Sequence, residues 1–114
     1  MSAVVVVVLL GLAHLASGQA LGFGFVQGKV VDEKGAPVAD VTFMAFLPRM
    51  GERLTGTSND KGEWRINGMA QGEWDITFEK RGYANARAKI VLENQLVRIP
   101  AVTIKLKAEP SPIV

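Results

Sequence analysis

Few side chains in this 114-residue chain could do chemistry. There is no cysteine, and the one histidine, His14, lies in an apolar N-terminal run. Thiolate nucleophiles, Ser/His and Cys/His schemes and zinc sites built on Cys and His therefore lack their residues. Carboxylates remain. Asp32 with Glu33, and Asn59 with Asp60, each gather oxygen atoms in one turn, which in principle suits Ca²⁺. Neither stretch has the spaced oxygens of a calcium loop, and Asp or Asn in such turns ordinarily bonds its own backbone. No metal or cofactor is expected, and no carboxylate pair stands out as an acid–base couple.

The other residues with chemical potential are two tryptophans in near-identical runs, KGEWRIN at 61–67 and QGEWDIT at 71–77. An indole can stack on a sugar ring while its N–H bonds to water or ligand. Trp64 and Trp74, with Asn67 and Gln71 beside them, form the candidate ligand surface on that reading. Residues two apart on a strand share a face, so Trp64 goes with Ile66, and Trp74 with Ile76 and Phe78, opposite Glu63, Arg65, Glu73 and Asp75. If one face is buried, it is the face with the rings. Core tryptophans are therefore the expectation, and a sugar platform is the alternative.

The elements that must position these residues are short alternating runs separated by turn residues, an all-β pattern with no sustained helical period. Strands are expected at 25–31, 41–47, 53–58, 63–66, 73–80, 84–92 and 96–107, the last interrupted by Pro100 and so suited to a sheet edge. Turns fall at DEKGAP, PRMGER, NDKG and RGY, NDKG having the residues of a tight hairpin, while NGMAQG reads as a connecting loop. Seven strands without a helix imply a β-sandwich of two packed antiparallel sheets. In the second strand Val41, Phe43, Ala45 and Leu47 alternate with Thr42, Met44 and Phe46. Both faces carry apolar side chains, so the second face is either covered or meets a partner.

Residues 3–16, AVVVVVLLGLAHLA, followed by SGQA, read as a secretory signal peptide cut after Ala20 or Gly18. The alternative is a membrane anchor, for which about 20 apolar residues are needed and this run is short. Residues 1–20 contain no charged side chain, so the remainder keeps 13 basic and 11 acidic groups and a net charge of +2. The basic residues are scattered and not interleaved with aromatics, which argues against a nucleic-acid partner. Export to a periplasmic or extracellular setting, in a bacterium, is expected, with membrane contact only through the signal during export. A short lead-in at 21–25 precedes the domain at 26–107, and a proline-containing tail closes the chain at 108–114.

In order along the chain, QGKVVDEKGAPVADVTF and TSNDKGEWRINGMAQGEWDITFEKRGY together resemble the carboxypeptidase regulatory-like domain. The matching positions are Gly28, Val30, Asp32 (shifted by one), Gly35, Pro37 and Val38, then Thr57, Asp60, Gly62 and Trp64, then Gly72, Trp74, Gly82 and Tyr83. Tryptophan stands where the family more often has Phe or Tyr. The resemblance covers about residues 26–106 and implies a transthyretin-like (prealbumin-like) β-sandwich that serves as a non-catalytic module on peptidases, receptors or surface proteins. The wider superfamily is carbohydrate-binding-like. The resulting expectation is a non-enzymatic accessory module that meets a protein partner through a sheet edge or its exposed apolar face. A carbohydrate-binding module, presenting loops 48–53 and 67–72 to a glycan, is the alternative.

Overall fold

The structure is a computed structural model that describes residues 24–94 and 99–109. The expected signal segment, most of the lead-in, residues 95–98 of the last expected strand and residues 110–114 of the tail lie outside the described residues.

Seven strands follow one another with no helix among the described residues: β1 Gly24–Val31, β2 Thr42–Leu47, β3 Glu52–Thr57, β4 Glu63–Met69, β5 Gly72–Glu79, β6 Ala86–Leu92 and β7 Val102–Lys105. They form a three-stranded sheet, β4-β1-β7, and a four-stranded sheet, β3-β2-β5-β6. The alternating patterns are the reason. The strands turn most of their apolar positions to the space between the sheets and their charged positions to water, with Met44, Phe46 and Val91 on the outer side as exceptions.

The core is built from Val26 and Val30 of β1, Phe43, Ala45 and Leu47 of β2, Trp64 and Ile66 of β4, Trp74, Ile76 and Phe78 of β5, Ile90 and Leu92 of β6, and Ile104 of β7, with Leu106 just beyond it. Three rings meet at its centre. Trp64 lies edge-on to Phe78 at 5.0 Å between centroids, and Phe43 contacts both at 5.8 and 6.0 Å. Such pairs each add about 0.5–1.5 kcal/mol beyond the burial itself. Ser58 is the buried polar residue of this core. Its hydroxyl donates to the Val38 carbonyl (3.0 Å) and accepts from the Val41 amide (2.9 Å), which satisfies backbone where the chain enters β2.

Three expectations are corrected. NDKG does not close a hairpin: β3 belongs to the four-stranded sheet and β4 to the three-stranded one, so the turn carries the chain between sheets. Turn residues specify a reversal of direction, not whether the flanking strands bond to each other. The sheets are not wholly antiparallel either, because β7 runs parallel to β1, with Gly28 opposite Val102 and Val30 opposite Ile104. The chain leaves β6 in one sheet and reaches the other beside β1, with enough length to enter in the same direction. Finally, NGMAQG is not a loop, for β4 continues through Met69. Met69 and Ala70 are buried, so the apolar pair extends the inward face.

β7 lies at the edge of its sheet, as Pro100 predicts. Gly28 permits the parallel pairing, since a Cβ there would collide with the Val102 carbonyl oxygen. The two residues after Lys107 are held as well: Ala108 bridges Tyr83, and the Glu109 amide donates to the Gly82 carbonyl at 3.0 Å.

Candidate functional site

Both indoles lie inside the sandwich. Trp64 is 3% exposed and Trp74 fully buried. The Trp74 Nε1–H donates to the Ala70 carbonyl at 2.8 Å, while Trp64 Nε1 is buried without a partner among the described residues. Trp64 borders a depression of about 590 Å³, together with Gln27, Lys29, Glu63 and Arg65, but presents almost no ring surface to it. Neither ring can act as a stacking platform. This corrects the candidate surface of Trp64, Trp74, Asn67 and Gln71: only the two amides are exposed, and they do not converge on a ring. Asn67 sits on β4 and accepts from Arg65 Nε at 2.8 Å, whereas Gln71 lies in the turn before β5, its carbonyl accepting from Arg49 at 3.0 Å.

The other motif residues shape backbone. Asp32 Oδ1 accepts from the Lys34 and Ala36 amides at 2.8 and 2.9 Å, and Asn59 Oδ1 accepts from the Lys61 and Glu63 amides at 3.0 and 2.9 Å. These oxygens therefore set turns. No group of three or more His, Cys, Asp or Glu side chains among the described residues is placed to hold a metal ion. Pro37 bridges Val31, Val30 and Val38 are core residues, and Thr57 and Asp60 are exposed beside the crossing turn. Gly62 ends that turn at φ +75°, where a Cβ would press on the Val30 carbonyl oxygen; Gly35, Gly72 and Gly82 also have positive φ.

What remains open is the outer face of the four-stranded sheet. Cross-strand register places Arg53, Phe46, Asp75 and Lys89 in one row, Thr55, Met44, Thr77 and Arg87 in the next, and Thr57, Thr42 and Glu79 in a third. Met44 is 37% exposed, Phe46 half-buried, and Val91 of β6 53% exposed. The Arg53 guanidinium lies over the Phe46 ring at 4.8 Å from its centroid. Along the β6 side Lys89 Nζ meets Glu73 Oε1 at 2.7 Å, both well exposed. The hydrogen bond to Glu73 raises the Lys89 pKa, and the charges of Glu73 and Asp75 add to it.

The face thus carries one cation, Arg53, on β3, an apolar and threonine strip on β2, an acidic strip on β5 and a cationic strip on β6. The sequence leaves the second face of β2 either covered or meeting a partner, and the described residues supply no cover. β2 is central in its sheet, and among the described residues no element lies over its Thr42–Met44–Phe46 side. The cap that Arg53 places on Phe46 was not legible, since the pairing of β2 with β3 fixes it.

The outer face of the three-stranded sheet differs. There Arg65 Nη1 donates to Gln27 Oε1 at 2.9 Å, Nε donates to Asn67, and the guanidinium covers Phe25 at 4.3 Å. The arginine is thus engaged on this face by its own neighbours.

A family model described as the carboxypeptidase regulatory-like domain matches residues 26–108. "Structural protein 27" of a virus (isolate Australia/Victoria) is 31% identical over 70 residues, which are 61% of this chain and 12% of that protein. The chain thus spans about an eighth of the curated relative's length. Among solved structures, 3-chlorocatechol 1,2-dioxygenase from Rhodococcus opacus 1CP superposes with a TM-score of 0.62 at 15% identity, over 81% of this chain and 62% of that one. The minor pilin of Streptococcus agalactiae superposes with a TM-score of 0.56 at 18% identity, over 81% and 48%. At such identities the likeness shows the β-sandwich fold alone.

Proposed function

Given that the chain belongs to the carboxypeptidase regulatory-like domain family, we propose that it is an exported, non-enzymatic accessory module of adhesion type, engaging a protein partner at the cell envelope or surface. The observation that carries this reading is the open face of the four-stranded sheet, where Met44 and Phe46 stand among threonines and rows of opposite charge. The minor pilin gives a precedent for this sandwich in a surface-assembly protein. The dioxygenase shares the fold, but fold does not carry chemistry. After His14 the sequence has neither His nor Cys, so Ser/His and Cys/His nucleophilic schemes lack their residues. The glycan alternative loses its two aromatic platforms to the core, and the guanidinium groups of Arg65 and Arg53 cover Phe25 and Phe46.

The test is site-specific photo-crosslinking in the cells that make the protein, with the probe at Thr55 on the open face or at Thr103 on the opposite sheet. A discrete protein adduct from Thr55 and none from Thr103 supports the proposal. Adducts of equal yield from both, or from neither, refute it.

A further inference from the structure

Asn67 is the one asparagine in the chain followed by glycine; Asn59, Asn85 and Asn94 precede Asp60, Ala86 and Gln95. The structure puts this pair in an unusual place. β4 is an edge strand, and its register against β1 slips there: Phe25 pairs with Asn67 and Gly24 with Met69, so Gly68 has no counterpart. Gly68 is the extra residue of a bulge, at φ +75°, with open space where a Cβ would be. Its backbone nitrogen is thus free of the side-chain crowding that ordinarily shields a peptide nitrogen from the preceding residue.

The Asn67 side chain is exposed. Its Oδ1 accepts from Arg65 Nε at 2.8 Å, and its Nδ2 has no partner among the described residues. A cationic donor on Oδ1 draws electron density from Cγ and stabilises negative charge developing on that oxygen. The nitrogen that would leave is unrestrained. Asn59 is held differently, with Oδ1 engaged by two backbone amides and Nδ2 by Glu63 at 2.9 Å.

The geometry points to the Asn67–Gly68 bulge as a site of self-modification, at which the asparagine cyclises to a succinimide and water converts it to aspartate and isoaspartate. The Gly68 nitrogen loses its proton to solvent base and attacks Asn67 Cγ; the Cγ–Nδ2 bond breaks and the side-chain nitrogen leaves as ammonia. Water then adds to either imide carbonyl. Opening at Cγ gives aspartate, and opening at the main-chain carbonyl gives isoaspartate, with the chain now running through the side-chain carbon. Either product sets a carboxylate beside Arg65. Isoaspartate also lengthens the main chain where the register already slips, which is the place in the sheet best able to take an added atom.

The test incubates the full-length protein, folded, in mildly alkaline buffer made with heavy-oxygen water, followed by tryptic mapping at successive times. Peptide Ile66–Lys80 is expected to gain one heavy oxygen and split into two chromatographic forms, one of them a substrate for an isoaspartyl methyltransferase. Its rate is expected to exceed that of Asn59 by at least about tenfold, equivalent to about 1.4 kcal/mol of barrier. Asn67→Gln should abolish the label. The proposal is overturned if folded protein takes up no label at Asn67 over a time in which the urea-unfolded chain labels fully, or if Asn59 labels as fast.

Discussion

The two tryptophans differ by one hydrogen bond, and that difference can be measured. Replacing either by Phe keeps an aromatic ring in the core and removes similar apolar area, so the packing losses are alike, of order 1 kcal/mol. Trp74→Phe additionally strands the Ala70 carbonyl, which now receives the indole N–H at 2.8 Å inside the core. Leaving a buried acceptor unpaired costs about 1–3 kcal/mol. Trp64→Phe strands nothing, since its Nε1 is buried without a partner, and removing an unsatisfied donor offsets part of the packing loss. Trp74→Phe is therefore expected to be the more destabilising by about 2 kcal/mol. For a domain of this size that corresponds to roughly 8–16 °C in Tm. Urea denaturation followed by far-ultraviolet circular dichroism reads the difference directly, with unchanged m-values showing that both variants unfold from the same compact state. Equal losses, or a larger loss for Trp64→Phe, would refute the assignment of a hydrogen-bonded and an unbonded indole.

Ser58→Ala removes a hydroxyl that joins the Val38 carbonyl to the Val41 amide, and a loss of about 1–3 kcal/mol in chemical denaturation is expected. Gly28→Ala forces a Cβ into the Val102 carbonyl; the parallel β1–β7 pairing should open, with a cost of about 1–3 kcal/mol or more and faster amide hydrogen exchange at residues 102–105. Lys89→Ala breaks an exposed ion pair and should leave the denaturation midpoint unchanged near neutral pH. Because the Lys89 pKa is raised in the folded chain, whatever stabilisation the pair gives is complete below the unfolded lysine pKa and lost as pH rises through the folded one. A midpoint comparison of wild type and variant across the alkaline range would expose a larger role. N-terminal sequencing of protein recovered outside the cytoplasm should begin at Gln19 or Leu21; an intact Met1 would refute export with cleavage.

Which side chains face inward is already written in the amino-acid order. Trp64 with Ile66, and Trp74 with Ile76 and Phe78, are legible as core because a strand alternates with a period of two, and that period reports burial whichever strand lies alongside. The same alternation yields the strand count and the two-sided apolar character of β2. The identity of each strand's neighbours is settled only by folding. NDKG joins strands of different sheets, β7 lies parallel to β1, and Arg53 caps Phe46, because backbone pairing between distant segments is not written in any local pattern. The two indoles differ for a local and a tertiary reason together. GEW occurs twice with the same spacing to isoleucine, yet Trp74 donates to the carbonyl of Ala70, four residues back in the turn that leads into β5, whereas Trp64 meets the rings of Phe43 and Phe78, which the packing of the other sheet brings to it.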